Sequence, residues 1–523
     1  MSTLDQTIAP ARYTRPDALA RLTQTAAGRW LVPSLADLFF IALFLWLFVA
    51  GHDGWHGLLA DGDIGWHVRT GEYILAHGGV PKTDLFSFTK PEAPWFAWEW
   101  LSDVLFALAH RGAGLKGVVF LAGVVIGLWP LLLLRQALWR GSNAWVAIAV
   151  TLVGAGAGSM HFLARPHVFT LLFATVAVWF IELDLRAPGR RIWWLIPLTA
   201  LWTNLHGGFL VAIALLAMTT GALAVAASAK LAAWRACVRY AVLTITCAAA
   251  SLVNPYGLRL HTHIFEYLRS DWIRNAVEEF QAPKFRSENQ LQFEVLLIAG
   301  LMSAAVLLAR GRLVEAAWIV AFAHLSLTSV RHAPVFVAVA APVIAAVVSE
   351  LWSAAQERLG PGSPVRILHG LGQDLTRGFG RSTLWVPAFV AGYFMFAGAG
   401  TWPRDFPVSH FPVELIHANA ALLANSRVLT HDQWADYLIY EFYPQQRVFA
   451  DGRSDFYGPG IGGEYLKTAA ADPAWRSTLD RYRVDTVLAP AGWPLSNMLK
   501  ADSGWRNVAS DTKAILFTRR GTP

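Results

Sequence analysis

The sequence predicts an all-α polytopic transmembrane bundle of about eleven helices, followed by a small C-terminal extracytoplasmic α/β domain. Three observations carry this. Of the 523 residues 55% are hydrophobic and only 15% charged, with a mean hydropathy of +0.40, whereas a soluble domain carries about a quarter charged residues. The charges are clustered, so runs of roughly 20 apolar residues, enough to cross a hydrocarbon core of about 30 Å, recur along the chain. Lys and Arg also concentrate in alternate short loops, the pattern that sets membrane orientation.

Residues 1–34 read as a cytoplasmic tail, because the first apolar run begins only near Leu31, after Arg12, Arg15, Arg21 and Arg29. That is not the pattern of a cleavable leader. Residues 35–401 form the membrane domain. Its predicted spans are 35–51, 117–138, 144–162, 168–185, 192–204, 209–228, 240–252, 291–309, 313–329, 333–349 and 384–400. Short turns join the third to the sixth, and His206-Gly207-Gly208 reads equally as a break within one membrane layer. Arg135 and Arg140, then Arg186, Arg190 and Arg191, then Lys230, Arg235 and Arg239, fall on the side of the tail. Arg310, Arg312, Arg358, Arg366, Arg377 and Arg381 follow on that side. This places the N-terminus in the cytoplasm of a bacterial inner membrane and the C-terminal domain in the periplasm.

The outer segments are an outer loop at 52–116, a second at 254–290 and the tail at 402–523. Trp95, Trp98 and Trp100 suit helices lying in the interface, and Asn254-Pro255-Tyr256-Gly257 is a turn signal. In the tail, 427–430, 447–450, 486–489 and 514–518 are β-prone, and 434–442 and 475–482 helix-like. The net charge of +7 is spread without a basic run interleaved with aromatics, which argues against nucleic acid. Cys237 and Cys247 have no ligand spacing around them and read as small apolar residues of a helix.

The polar residues gather at outer helix ends: His161, Arg165 and His167, then Asn204 and His206, then Asn254, Tyr256, Arg259 and His263, then Arg331 and His332. Of the sixteen His only His369 falls in a predicted cytoplasmic loop. Ionisable groups at membrane depth are costly and usually face a bundle interior or wet cavity, and Arg with His suits a phosphate-bearing ligand. Each has a plainer reading. Arg259 and Arg331 singly read as well as side chains snorkelling to lipid phosphate, and Asn204 as a helix cap. His261 and His263 diverge on a helix and make a weak metal signal. The sharpest motif is Asp61-Gly62-Asp63-Ile64-Gly65-Trp66-His67-Val68-Arg69-Thr70-Gly71-Glu72. A carboxylate here suits a general base whose pKa partial desolvation raises; the alternative is that Asp63 caps the helix that follows it.

At these residues the chain resembles the GT-C superfamily of polytopic glycosyltransferases, which includes protein O-mannosyltransferases, aminoarabinose transferases and oligosaccharyltransferase. The resemblance rests on Asp61-x-Asp63 with His67, Arg69 and Thr70, then Trp98-Glu99-Trp100-Leu101, Arg165-Pro166-His167 and Asn204-Leu205-His206-Gly207-Gly208. It continues through Asn254-Pro255-Tyr256-Gly257, Arg331-His332 and Asp451-Gly452-Arg453, so it covers nearly the whole chain. The first loop lacks an Asp-Glu doublet and the tail a Trp-Trp-Asp motif. The resemblance implies inverting transfer of a hexosyl or pentosyl group from a polyprenyl-phosphate carrier to a glycan, lipid or protein acceptor in the cell envelope. It implies Asp63, with Asp61, as base or site organiser and Glu99 as a second acid. Arg165, Arg259 and Arg331 would hold the phosphate, His67, His167, His206 and His332 would complete the polar wall, and Asp451 and Arg453 would meet the acceptor. No cofactor is required, and a divalent cation is allowed. Two readings from other classes stay open: a transporter or flippase for a lipid-linked sugar, against which charges avoid mid-span and no halves repeat, and a non-catalytic envelope-assembly protein.

Overall fold

The computed structural model describes residues 25–50, 54–287, 290–380, 383, 385–396 and 402–521. The tail arginines Arg12, Arg15 and Arg21, the loop residue Arg381 and the span positions 51, 384 and 397–400 lie outside them.

Each predicted span falls on a helix. Six are long and apolar enough to cross a membrane: Trp100–Trp139, Ala144–His161, His167–Arg186, Gly207–Ser228, Gln290–Ala309 and Val330–Gln356. Shorter apolar helices are Leu35–Val49, Leu313–Thr328 and Trp385–Phe396. The remaining two spans correspond to Leu195–Leu205 and Trp234–Ala250. The chain is an integral membrane protein. The helices that position its site are α1 (Leu35–Leu45), α2 (Ile64–His77), α3 (Trp100–Trp139), α4 (Ala144–Gly158), α5 (His167–Arg186), α6 (Leu195–Leu205) and α7 (Leu210–Ser228). They continue with α8 (Trp234–Ala250), α9 (Leu258–Arg269), α10 (Gln290–Ala309), α11 (Leu313–Thr328) and α12 (Ala333–Gln356).

One element differs most from its predicted extent. The span at 117–138 is the inner part of α3, which begins 17 residues earlier, at Trp100. The outer part carries Asp103, Arg111 and Lys116 and so lacks the apolar signature of a span. Non-helical backbone at Ala113 and Gly114 kinks the helix between the two parts. The outer part packs along α2.

The tail folds as a four-stranded mixed sheet of order β1-β2-β4-β3, with β1 Val428–Thr430, β2 Thr486–Pro490, β3 Trp505–Ser510 and β4 Ala514–Arg519. β1 runs parallel to β2, and β4 is antiparallel to both its neighbours. The β-prone run 447–450 makes only isolated bridges, from Val448 to Ser87 and to Val428. β3 escapes prediction because it is mostly exposed and its residues, Trp-Arg-Asn-Val-Ala-Ser, do not alternate between apolar and polar. Helix α13 (Asp432–Phe442) follows β1 and lies against α2. Gly65 permits this approach, since a Cβ there would stand 2.2 Å from the Asp436 carbonyl oxygen. One hydrophobic core runs from Phe44 of α1 through Trp55, Trp66, Phe86 and Trp95 of the outer loop to Trp434, Val487 and Phe517 of the tail. Each such fully buried side chain stabilises by about 1.5–3 kcal/mol, so loop and tail are held as one body.

A charged candidate active site between bundle and tail

A cavity of about 670 Å³ opens where the outer loop, the turns before α5 and α12, the segment after α9 and the tail loops meet. Its wall carries both charged and apolar side chains. Asp61, Asp63, Glu99, Arg165, Glu279 and Arg331 supply the charge, while Leu171, Leu210, Val211 and Val335 come from membrane helices.

Arg165 is the centre of the charged cluster. It sits on the turn just before α5, whose helical backbone Pro166 starts without needing an N–H. Its Nη1 lies 2.7 Å from Asp61 Oδ2 and 3.2 Å from Glu279 Oε1, and its Nη2 lies 2.7 Å from Asp63 Oδ2. Burial works against the guanidinium charge, but these carboxylates override it and hold the proton more firmly than usual. Burial likewise opposes ionisation of Glu279, and Arg165 reverses that, holding its carboxyl well below the usual range. Asp63 stands at the N-cap position of α2, yet its side chain makes no capping bond. The carboxylate that a plain cap would turn to the helix N–H groups is turned to Arg165 instead.

The second oxygen of Asp63 faces the tail. A Cβ at Gly452 would stand 2.0 Å from Asp63 Oδ1 and 2.8 Å from Asp436 Oδ2, so only glycine fits between them. Both oxygens are buried without a hydrogen-bond partner among the described residues, and Gly452 N–H donates to the other oxygen of Asp436 at 3.0 Å. Two buried carboxylates this close cannot both ionise. Burial first pushes both above the usual carboxylate range; the charge of Asp61 adds to it at Asp63, against Arg165, and the charge of Asp63 adds to it at Asp436.

Glu99 faces different company. Its Oε1 is 3.3 Å from His206 Nε2 and its Oε2 is 3.8 Å from His67 Nε2. His67, 1% exposed, places Nδ1 2.6 Å from Asp103 Oδ1. Burial holds His67 well below the ordinary imidazole value, so it is neutral. Burial pushes Glu99 up to about 8, with Arg165 acting in the opposite sense. Arg331 brings a free cationic donor to the site. Its guanidinium lies 4.3 Å from the Phe280 ring centroid, and Nη1 is buried without a hydrogen-bond partner among the described residues.

The remaining residues singled out from sequence divide in two. His167 and His332 line the cavity, with His167 Nε2 2.6 Å from the His161 carbonyl. Asp451 and Arg453 also line it but are committed to each other and to Asp84: Arg453 Nη2 donates to Asp451 Oδ2 at 2.6 Å and to Asp84 Oδ1 at 2.8 Å. His67, Arg69, Asn204, Asn254, Tyr256 and Arg259 are not on the cavity wall. Arg69 donates through Nε to the Tyr440 carbonyl at 2.8 Å and through Nη1 to Glu72 at 2.6 Å, which ties α2 to α13. Asn204 accepts from Trp100 Nε1 at 2.8 Å, Asn254 bonds within its own turn, and the Tyr256 hydroxyl accepts from the Ala97 N–H at 2.9 Å. Arg259 lies 5.7 Å from the Phe96 centroid. His261 and His263 diverge as their spacing requires, towards Ser251 and Asp455 respectively.

Sequence reasoning left Glu279 and Asp436 without a role. Glu279 sits in an unpatterned loop and has no local signal. Asp436 has one: it is a carboxylate in the apolar run Trp434 to Ile439, wholly buried on the face of α13 that meets α2.

No protein-family model matches the chain, and no curated protein matches its sequence. Among solved structures, it is similar to the archaeal oligosaccharyltransferase AglB from Archaeoglobus fulgidus in complex with an inhibitory peptide and a dolichol-phosphate. The TM-score is 0.55 at 14% identity, covering 94% of this chain and 74% of that one. The A. fulgidus enzyme in complex with Zn and sulfate gives 0.50 at 14% identity, over 92% and 73%. ArnT from Cupriavidus metallidurans bound to undecaprenyl phosphate gives 0.48 at 13%, over 93% and 98%. The chain shares the fold of the archaeal oligosaccharyltransferase.

Proposed function

We propose that this protein is a glycosyltransferase that moves a sugar from a polyprenyl-phosphate carrier to a glycan, lipid or protein acceptor on the outer face of a bacterial inner membrane. The observation that carries this reading is a cavity lined both by a cluster of acids with Arg331, whose Nη1 has no partner among the described residues, and by apolar side chains of membrane helices. That combination suits a donor with an anionic head and a lipid tail. In this reading residues 1–34 face the cytoplasm, 35–401 cross the membrane, and 402–523 cover the cavity from the periplasm. The fold shared with an oligosaccharyltransferase is consistent with it.

Arg331 Nη1 meets the carrier phosphate, and Leu171, Leu210 and Val335 receive the first isoprene units. Of the candidate acids, Asp61 and Asp63 each give an oxygen to Arg165, and the other oxygen of Asp63 faces Asp436. Glu99 faces the imidazoles of His206 and His67, and burial raises it to about 8, so it is the proton acceptor in this reading. The acceptor oxygen bonds to the anomeric carbon as its proton passes to Glu99, and the carbon–phosphate oxygen bond breaks with its electron pair leaving on the phosphate. Attack opposite the leaving group inverts the centre. Positioning and electrostatic stabilisation of the departing phosphate account for the rest. A divalent cation does not fit the charged wall: Asp61, Asp63 and Glu279 offer hard oxygen donors, but each turns an oxygen to the Arg165 guanidinium, which already occupies the place of a cation.

Undecaprenyl phosphate binding to the purified protein tests this. Arg331→Gln removes a charge-assisted donor, a loss of about 1.5–3 kcal/mol or roughly tenfold or more in affinity. Wild-type protein that binds undecaprenyl phosphate no better than phosphatidylglycerol would sink the reading. Reporter fusions after Arg377 and after Gly458 should fall in opposite compartments; the same compartment for both overturns the orientation.

A further inference from the structure

We propose a second, separate site in the tail: Asp405, His417 and Glu441 form a three-ligand site for a zinc-like divalent ion that fastens the segment leaving the membrane to helix α13. This does not depend on glycosyl transfer. The three side chains come from distinct pieces of chain, the strap before the helix Val413–Ala418, that helix itself, and the end of α13. One ligand atom from each lies within 4.8 Å of the other two. His417 Nε2 is 3.3 Å from Asp405 Oδ2 and 3.7 Å from Glu441 Oε2. Zinc bonds of about 2.0–2.2 Å at a tetrahedral angle separate neighbouring ligand atoms by roughly 3.3–3.5 Å. The spacing is therefore already close to that of a metal site.

The surroundings orient Asp405 in the way metal sites require. Its Oδ1 accepts from the Tyr437 hydroxyl at 2.9 Å and from the Phe406 N–H at 2.7 Å, which leaves Oδ2 towards His417, whose Nε2 also lies 3.1 Å from the Tyr437 hydroxyl, a contact that a bound ion would replace. The His417 side chain is 49% exposed and those of Asp405 and Glu441 26% each, so an ion can enter and a water can complete the shell. Two carboxylates flank His417 here, and a divalent ion between the three would cancel their repulsion. The alternative occupant of this geometry is a proton: an imidazolium clasped between two carboxylates, indifferent to metal.

The test uses full-length protein purified without a polyhistidine tag and equilibrated with Zn²⁺. Wild-type protein should retain about one equivalent more zinc than His417→Ala or Glu441→Gln, and zinc should raise its melting temperature more than theirs. Comparison with these variants subtracts any zinc bound in the main cavity, which they leave intact. Where His417→Ala fails to fold, His417→Gln with Co²⁺ as probe replaces it, tetrahedral cobalt absorption being expected in the wild type and absent in the variant. Equal zinc content and equal melting shifts, or equal cobalt spectra, would overturn the site in favour of the imidazolium clasp.

Discussion

The bundle buries charge at both ends, and the two ends treat it differently. At the end with the basic loops, Arg140 pairs with Glu182, donating through Nε at 3.0 Å, and Gln136 Nε2 donates to the same carboxylate at 3.0 Å. Beside it, Asp184 accepts from Arg239 Nη2 at 2.7 Å, from the Tyr240 hydroxyl at 3.0 Å and from the Gly189 N–H at 2.9 Å. Both of these buried carboxylates have donors. At the other end Asp63 Oδ1, Asp436 Oδ2, Asp103 Oδ2 and Arg331 Nη1 are buried with no partner among the described residues. An unpaired buried polar group costs about 1–3 kcal/mol, so a fold that keeps several together is holding them for something else. Among the described residues, the buried atoms without a partner at the first end belong to neutral groups such as Gln136 and Ser142, whereas at the second they include ionisable ones, which suits the first to cohesion and the second to a ligand. That is a stronger pointer to the site than charge alone, because charge is present at both.

Substitution at the two ends should therefore fail in different ways, and the largest effect belongs to Glu99. Glu99→Gln keeps the shape and the contact to His206 but cannot take a proton. Product formed in membranes holding equal protein should fall by about 10²–10⁴-fold, with an unchanged melting temperature. The pH profile gives the sign. Glu99 is raised to about 8, so below that value it is protonated and idle; the wild-type rate should climb about tenfold per pH unit and level off above about 8. A rate already flat at pH 6, or full activity in Glu99→Gln, would remove Glu99 as acceptor of the proton.

At the opposite end the expected loss is in stability. Glu182→Gln leaves Arg140 buried, with Glu315 at 4.0 Å as the remaining acid, and breaking such a pair costs about 3–5 kcal/mol. The melting temperature should drop while the activity of the folded fraction persists. If instead Glu182→Gln lost activity at unchanged stability, the contrast between the ends would collapse. Gly452→Ala is the intermediate case. Its methyl would be driven into Asp63 Oδ1, and overpacking of this kind costs about 1–3 kcal/mol. Both melting temperature and transfer should fall, because Gly452 lies where the tail meets the site. A silent Gly452→Ala would mean that the tail does not shape the acidic cluster.

What was legible in the sequence divides along the same line. Hydropathy reads what a helix does against lipid, so the predicted spans all fall on helices. It is blind to the outer part of α3, where Asp103 and Lys116 serve a protein interface rather than a bilayer. The Asp-x-Asp motif, the Arg-Pro-His turn and Glu99 stood out because their chemistry is local and dense. Asp436 joins Asp63 from far along the chain only because Gly65 and Gly452 let backbones close in, and no periodicity reports such an approach. Conversely, Arg69 stood out by its place in the acidic motif and Asn204 and Tyr256 by theirs at helix ends and turns; their partners are backbone groups and neighbouring side chains that hold α2 to α13 and the turns together.

The smallest predicted effect is the most discriminating for the arginines. Arg165, Arg259 and Arg331 are equivalent in the sequence pattern, each a basic residue at an outer helix end. In the structure Arg165 is saturated by carboxylates, Arg331 has a free donor in the cavity, and Arg259 lies off the wall beside Phe96 on the amphipathic helix α9. A cation near an aromatic ring at a partly exposed site contributes about 0.5–1 kcal/mol, and Lys preserves much of it. Arg259→Lys should therefore shift the melting temperature slightly and leave undecaprenyl phosphate affinity within about twofold of wild type. Arg331→Lys keeps the charge but loses the planar fork, and should weaken the same lipid measurably more. Equal affinity in the two variants would show that a diffuse outer charge, rather than one aimed donor, attracts the lipid. A larger loss in Arg259→Lys would move the phosphate out of the cavity towards α9, and with it the division of labour between the unpaired and the paired end.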